Sequence, residues 1–368
     1  MSKLFSPFTI NDVTFSNRIV VSPMGQYSGD GNGNATDWHM MHLGNFAVSG
    51  AGLVILEASA VERRGCVSPF DLGIWRDENA VAIDRVLSFC RKQGESKWGI
   101  QLAHAGRKGA VTPAWLGQIP LTEEQGQWVM RSASAIPYPG RETPEAMTRS
   151  DMDDVTAAFR QAAVRARDIG IDVAEVHNAH GYLLHSFLTP FANQRDDAYG
   201  GTLENRMRFP LEVFAAVRDV WPADRVLGVR LSVTDWADGG WSVDDSIVFA
   251  GRLKELGCDY ITASSGGSTP DQQIPIGPGY QIPLAEAIRQ AVDIPTMGVG
   301  LITEPLQAEE LIANDRVDLV ALGRGFLFNP RWPWHAAFAL GGQIAIAHPY
   351  ERSHPAMRSG DFLKPRQS

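Results

Sequence analysis

The sequence predicts a (β/α)₈ barrel, and three observations carry that expectation. Eight short runs rich in Val, Ile and Leu recur along the chain, as parallel strands buried on both faces would. Each run is followed by a longer segment with helical spacing, the alternation of a parallel sheet wrapped by helices. No G-x-G-x-x-G follows the first run, so the fingerprint of a doubly wound open sheet is missing. Eight evenly repeating units then close naturally on themselves.

Taken in order, the first strand is NRIVVSPM (17–24), followed by helical spacing around 38–49. GLVILEASAV (52–61) precedes a helix around 79–93, and KWGIQLAHAG (97–106) leads into an abnormally long connection, Arg107 to Ser150. Its Pro, Gly and Trp content marks an ordered excursion capping the barrel mouth, since loops this long are usually functional. The clearest helix spans 151–169, where Val155, Ala158, Phe159, Ala162, Ala166 and Ile169 recur at three- and four-residue steps. Ser150 with Asp153 resembles a capping box, and Gly170 fits the position just past the end. DVAEVHNAHG (172–181) pairs with a helix around 205–220, and RVLGVRLSV (225–233) with 242–256. DYITASSG (259–266) precedes 283–292, PTMGVG (295–300) precedes 304–313, and LVALGRG (319–325) precedes 332–340. Pro305 suits a helix start, where its missing N–H has no intrahelical role. The chain, 1–368, reads as one domain, with 107–150 as the capping excursion and 341–368 as a C-terminal extension. That extension, with Pro349, Pro355 and Pro365, is irregular and long enough to reach a neighbour.

Composition narrows the function. A net charge of −9 argues against a nucleic-acid surface, which needs clustered Lys and Arg. The three cysteines, Cys66, Cys90 and Cys258, are far apart, so neither an iron–sulfur cluster, a structural zinc site nor a disulfide scaffold is indicated, and a reducing cytoplasm is expected. The N-terminus lacks an apolar signal core, and no run approaches the ~20 apolar residues of a membrane span.

In this fold the chemistry sits at the C-terminal ends of the strands. Those ends read SPMGQY, EASA, QLAHAGR, HNAHGY, RLS, SSGG, GVG and GRG. GVG and GRG offer N–H groups unshielded by Cβ beside an arginine, as a phosphate site after strands seven and eight would; they also suit plain tight turns. Arg230, a cation in an apolar run, should face the mouth with an anionic partner, either a ligand or a structural carboxylate. Gln101 can serve a ring presenting C=O beside N–H, or simply be a buried amide. His177 and His180 lack a third nearby ligand and make a poor zinc site. Two imidazole N–H groups can instead hold and polarise one substrate oxygen, and Tyr182, protonated at neutral pH, can donate.

Taken together, NRIVVSPMGQYS, LVILEASAVERRG, GIQLAHAGRK, VHNAHGYLLHSFLTPFANQRDDAYGGTLENRMRF and DLVALGRGFLFNP closely resemble the old yellow enzyme family of FMN-dependent ene-reductases. SPMGQY and YERSHP point to its bacterial, thermophilic-like and xenobiotic-reductase class. The resemblance runs from Leu4 to Tyr350 and implies tightly held, non-covalent FMN at the mouth, with NAD(P)H as reductant in the same pocket. The phosphate would lie against Gly300, Gly323 and Arg324, and the ring against Ser22, Pro23, Met24, Gly25, Ala58 and Gln101. Arg230 would stabilise the anion that grows on ring reduction. His177 and His180 would hold the activating oxygen of an enone, hydride would reach the β-carbon, Tyr182 would protonate the α-carbon, and Tyr27 would add a hydrogen bond at the oxygen. Arg352 would enter a partner's site from the tail, implying a homodimer or homotetramer.

One departure stands out: the class usually carries a cysteine where this chain has Gly25, which implies an altered flavin potential and a roomier pocket. Three alternatives remain in view. A nitro or quinone reductase would use the same scaffold. A sugar-phosphate isomerase or aldolase would share the phosphate site but needs a Schiff-base lysine or carboxylate base, and no strand end offers a suitable lysine. A non-catalytic flavin-binding barrel would fail to pass electrons to an enone. A related dehydrogenase of methylated amines is disfavoured, because its iron–sulfur cysteines are missing.

Overall fold

A computed structural model describes residues 2–353. Eight parallel strands close into a barrel in chain order: β1 (Ile19–Val21), β2 (Leu53–Ala60), β3 (Lys97–Ala103), β4 (Val173–Asn178), β5 (Val226–Ser232), β6 (Tyr260–Ser264), β7 (Thr296–Val299) and β8 (Leu319–Leu322). The helices following them are α1 (Asp37–Ala47), α2 (Asp77–Cys90), α3 (Arg149–Asp168), α4 (Leu203–Arg218), α5 (Val243–Glu255), α6 (Ile282–Val292), α7 (Pro305–Ala313) and α8 (Trp332–Leu340). The expected barrel is the observed one.

Two details differ from the sequence reading. The cap of α3 is Thr148, whose hydroxyl accepts from Asp151 N–H while the Asp151 carboxylate accepts from Thr148 N–H. Ser150 and Asp153 lie inside the helix, because the extended backbone that a cap needs occurs at Thr148 (φ −78°, ψ 171°); such a cap contributes about 1 kcal/mol. The hairpin Phe8–Ile10 with Val13–Phe15 was not anticipated. Its Ile10, Val13 and Phe15 join Val20, Leu53, Ile55, Val173, Val226 and Met297 in one cluster inside the barrel. Each such side chain contributes roughly 1.5–3 kcal/mol by leaving water.

That cluster fixes which strand residues point inward, and alternation carries the pattern to the mouth. Val173 inward puts Glu175 and His177 inward; Val226 inward does the same for Gly228 and Arg230, and Tyr260 for Thr262 and Ser264. Their neighbours Ala174, Val176, Leu227, Val229, Leu231, Ile261 and Ala263 pack outward against the helices. Gly228 has a specific reason: a Cβ there would stand 2.1 Å from the Tyr260 ring, which fills the space instead.

The excursion contains short 3₁₀ turns at Ala114–Leu116 and Glu123–Gln125 and a small ladder, Arg131–Ser132 with Glu145–Ala146. Residues 343–350 of the tail share a groove with Ser16, Asn17, Gly50, Ala51 and Gly94–Ser96, the loops that enter β1–β3. Residues 354–368, with Pro355 and Pro365, lie outside the described ones. Among the described residues no helix is long and apolar enough to cross a membrane, and no group of three or more His, Cys, Asp or Glu could hold a metal ion.

Candidate active site

The floor of the mouth is a buried polar layer. Glu175 accepts from Gln101 Nε2 (2.7 Å), Thr262 Oγ1 (2.5 Å) and Tyr260 OH (3.2 Å). Gln101 is thereby tied to a protein carboxylate and fixed in orientation. Arg230 sits opposite His177 in the β4–β5 register and is 9% exposed. No carboxylate among the described residues lies within ion-pair distance of it, and its buried Nε has no partner. Burial lowers its pKa, with Glu175 acting against that from a distance. The anionic partner expected for Arg230 is thus not an adjacent side chain.

Above this layer stand His177, His180 and Tyr182, brought together with ring centroids 5.0 Å (His177–His180) and 5.1 Å (His177–Tyr182) apart. His177 Nδ1 accepts from Ala179 N–H (3.2 Å), so its proton resides on Nε2. His180 Nε2 pairs with Ser264 Oγ at 2.7 Å, and the same hydroxyl lies 3.5 Å from Gln281 Oε1; the His180 proton resides on Nδ1 when the hydroxyl donates to the ring and on Nε2 when it donates to Gln281. Burial, then the Arg230 charge, holds both imidazoles well below their usual pKa. They are neutral N–H donors, not cations. Burial likewise pushes the Tyr182 phenol up, so it keeps its proton, although Tyr182 and His180 retain some exposed surface in the mouth.

The turn presenting these groups is strained. His180 has φ 63°, a left-handed conformation costing about 1–3 kcal/mol for a non-glycine residue. Gly181 follows at 72° and cannot be replaced cheaply, because a Cβ there would stand 2.2 Å from the Gly267 carbonyl oxygen. Tyr27, also left-handed at 49°, packs edge-on against Trp115 of the excursion at 5.9 Å. Its loop is anchored by Glu57, which accepts from Gln26 N–H (2.5 Å) and meets His39 Nε2 at 3.0 Å.

Comparison with known proteins bears on this barrel directly. Residues 3–340 match the model of the NADH:flavin oxidoreductase / NADH oxidase family. The chain belongs to that family. It is 46% identical over 351 residues to an NADPH dehydrogenase of Geobacillus sp. (strain WCH70), covering 95% of this chain and 98% of that protein. It is 44% identical over 355 residues to one of Listeria innocua serovar 6a, covering 96% and 99%. Among solved structures it is similar to morphinone reductase, with TM-score 0.77, 26% identity and coverage of 100% and 99%. A 2-naphthoyl-CoA reductase complex shares the fold at TM-score 0.83, with 22% identity over 92% of this chain and 52% of that one. The old yellow enzyme resemblance therefore holds, and the protein is an FMN-dependent NAD(P)H oxidoreductase.

The residues present fit FMN. Ser22 Oγ and Arg230 Nε are buried donors without a protein partner, as groups awaiting ligand acceptors would be. Ala58 is the single residue of β2 that is not buried, and it follows a bulge at Leu56/Ala58 that turns it to the mouth. Pro23, Met24 and Gly25 keep exposed surface above buried Ser22. Gly300 (φ 130°) and Gly323 lie at the ends of β7 and β8, and Met24 Sδ stands 3.5 Å from where a Gly323 Cβ would be. That approach sets the Gly323 turn against the 22–25 segment, while the Gly300 turn faces Tyr280 and Gln281. Arg324 beside them is exposed. Arg352 is not brought to this set: its tail runs along the opposite end of the barrel.

Sequence reasoning missed four supports: Ser264 behind His180, Ser232 and His185 behind the 180–181 turn, and Lys108. The third strand end, read as QLAHAGR, closes at Arg107, yet the next residue, Lys108, lies against the turn, with Nζ 2.8 Å from His180 O. It offers no free amine for a Schiff base, since Nζ also donates to Gly267 O at 2.9 Å. The motif AHAGRK contained the signal; only the fold shows which way the lysine reaches.

Proposed function

We propose that this flavin oxidoreductase reduces activated C=C bonds of α,β-unsaturated carbonyl compounds. The observation that carries the reading is the pair of neutral imidazoles side by side in the mouth: His177, with Nδ1 taken by the Ala179 amide and its proton on Nε2, and His180, with Nε2 paired to Ser264. Two neutral donors hold a carbonyl oxygen and stabilise the charge that develops there during addition to the alkene. Tyr27 adds a third hydrogen bond at that oxygen. Tyr182, kept protonated, gives its proton to the α-carbon. FMN, when bound, supplies the hydride to the β-carbon and is itself recharged by NAD(P)H. Ser22, Pro23, Met24, Gly25, Ala58 and Gln101 would hold its ring, Gly300, Gly323 and Arg324 its phosphate, and Arg230 would offset negative charge gained on reduction. The name of the similar morphinone reductase supports a ketone-bearing substrate.

The test is anaerobic: FMN-loaded protein, reduced by NADPH, is mixed with cyclohexenone. Rapid reoxidation is expected, and Tyr182→Phe should slow it by about 10²–10⁴-fold. Reduced protein that ignores enones but reoxidises with quinones or nitro compounds would replace this reading with a nitro or quinone reductase. Inertness toward all of them would leave a non-catalytic flavin carrier.

A further inference from the structure

Consecutive left-handed residues at His180 and Gly181 leave backbone groups that no regular element can pair, and buried peptide groups need partners. Each has one. His180 N–H donates to Ser232 Oγ (2.9 Å), Gly181 N–H to His185 Nδ1 (2.9 Å) and Tyr182 N–H to Ala179 O (3.2 Å). The His180 carbonyl accepts from Lys108 Nζ. The same ammonium donates to Gly267 O, where the turns after β4 and β6 touch: a Cβ on Gly267 would stand 2.6 Å from His180 backbone atoms. Lys108 thus clamps the two turns at their crossing.

No carboxylate among the described residues pairs with this partly buried cation. Nζ lies 4.5 Å from the Tyr138 ring centroid and 5.4 Å from that of Tyr182. Charge strengthens the two carbonyl bonds, but it also places a positive potential beside the one phenol that loses a proton in the reaction. We propose that Lys108 is a positioning residue that holds the His180–Tyr182 turn and stabilises the phenolate that Tyr182 becomes. In that step the Tyr182 O–H bond breaks, the α-carbon C–H bond forms, and the negative charge passes from substrate to phenol oxygen, later reprotonated from water. The inference rests on the proton-donor reading of Tyr182.

Burial, with Arg107 and Arg141 adding repulsion, lowers the Lys108 pKa to about 8. The charged and titratable groups facing it are Arg107, Arg141, Tyr138, Tyr182 and the imidazoles of His177, His180 and His185. Burial keeps these three imidazoles neutral at alkaline pH and the Tyr182 phenol protonated, and guanidinium groups do not discharge there. Above about pH 8, then, the clamp loses its charge.

The experiment follows enone-driven reoxidation of FMN-loaded protein from about pH 6 to pH 10, with hydrogen exchange of the 178–183 amides alongside. Wild type should slow by about 10-fold above pH 8, and Lys108→Met should be slower by at least about 10-fold at pH 7 with no alkaline step. Its His180–Tyr182 amides should exchange about 10-fold faster, while FMN affinity reports that the barrel is intact. A Lys108→Met protein matching wild type in rate, pH profile and exchange overturns the proposal. Should that variant fail to bind FMN, Lys108→Arg decides: the alkaline step should vanish, and its persistence overturns the phenolate role. If wild type itself spares enones, the functional reading fails instead, and hydrogen exchange alone still judges the clamp.

Discussion

At the scale of single residues, the site works by deciding where protons sit. The Ala179 amide takes His177 Nδ1, so that ring keeps its proton on Nε2, and Ser264 pairs with His180 Nε2. Ser264→Ala removes the partner that selects the His180 tautomer, and enone affinity should weaken by about 10-fold, one neutral hydrogen bond, read from saturation of the reoxidation rate. The depressed imidazoles also set a pH limit with a defined sign. Folded His177 and His180 bind protons less readily than the unfolded chain, whose histidines titrate near ~6.5. Unfolding therefore takes up protons as pH falls below that value, and stability present at neutral pH declines from about pH 6.5 downward. Denaturant midpoints at pH 7.5 and 5 should differ accordingly, and a His177→Gln/His180→Gln double variant should show a smaller difference. Gly25 makes the opposite point, a residue defined by what it leaves out. The nearest atoms a Cβ there would meet belong to the Tyr27 phenol, at 3.6–3.7 Å, so Gly25→Cys fits at ordinary contact distance and sets a polarizable sulfur beside the phenol. The bound flavin's midpoint potential should move by on the order of 30 mV, the two-electron equivalent of about 1.4 kcal/mol; an unchanged potential would count against a tuning role for this position.

At the scale of elements, the strands supply direction and the turns supply chemistry. Inward alternation from Val173 delivers His177, and from Val226 delivers Arg230, and this much was legible in the letters because a two-residue period needs no knowledge of partners. The turns were legible only as motifs. Nothing local says that Gly181 is needed because Gly267 crosses it, since the two are far apart in sequence and meet only once the barrel closes. Gly181→Ala should therefore cost more than its left-handed φ alone, about 1–2 kcal/mol. A lowered melting temperature together with slower enone reduction is expected, and a variant as stable as wild type would contradict the crossing. Lys108 and Ser264 stayed hidden for the same reason: their partners belong to other strands. The α3 cap was misplaced by two residues because Ser150–Asp153 and Thr148–Asp151 present equivalent local patterns, and backbone geometry chose between them.

At the scale of the whole molecule, one described face is poorly matched to water. Trp38 and Met41 on α1 are 48% and 54% exposed, and Phe89 on α2 is 44% exposed. Met41 and Phe89 line the groove along which residues 343–350 run. Exposed apolar side chains gathered on one face suit association, and in a two-fold dimer the same patch would meet itself. The tail that carries Arg352 lies along this face and away from its own barrel mouth, so any entry of Arg352 into an active site is expected to occur in a partner's. Mixing two defective proteins separates the cases. Tyr182→Phe damages only the site of the chain that bears it; Arg352→Ala, if it acts across the interface, damages only the neighbour's. In a mixed dimer both defects then fall on one site and leave the other whole. Random remixing makes about half the dimers mixed, so about a quarter of the sites should recover. Activity that stays at the level of the separate mutants after subunit exchange would place Arg352 in its own chain's site or outside the mechanism. Recovery near one quarter would make the complete active site a property of the assembly.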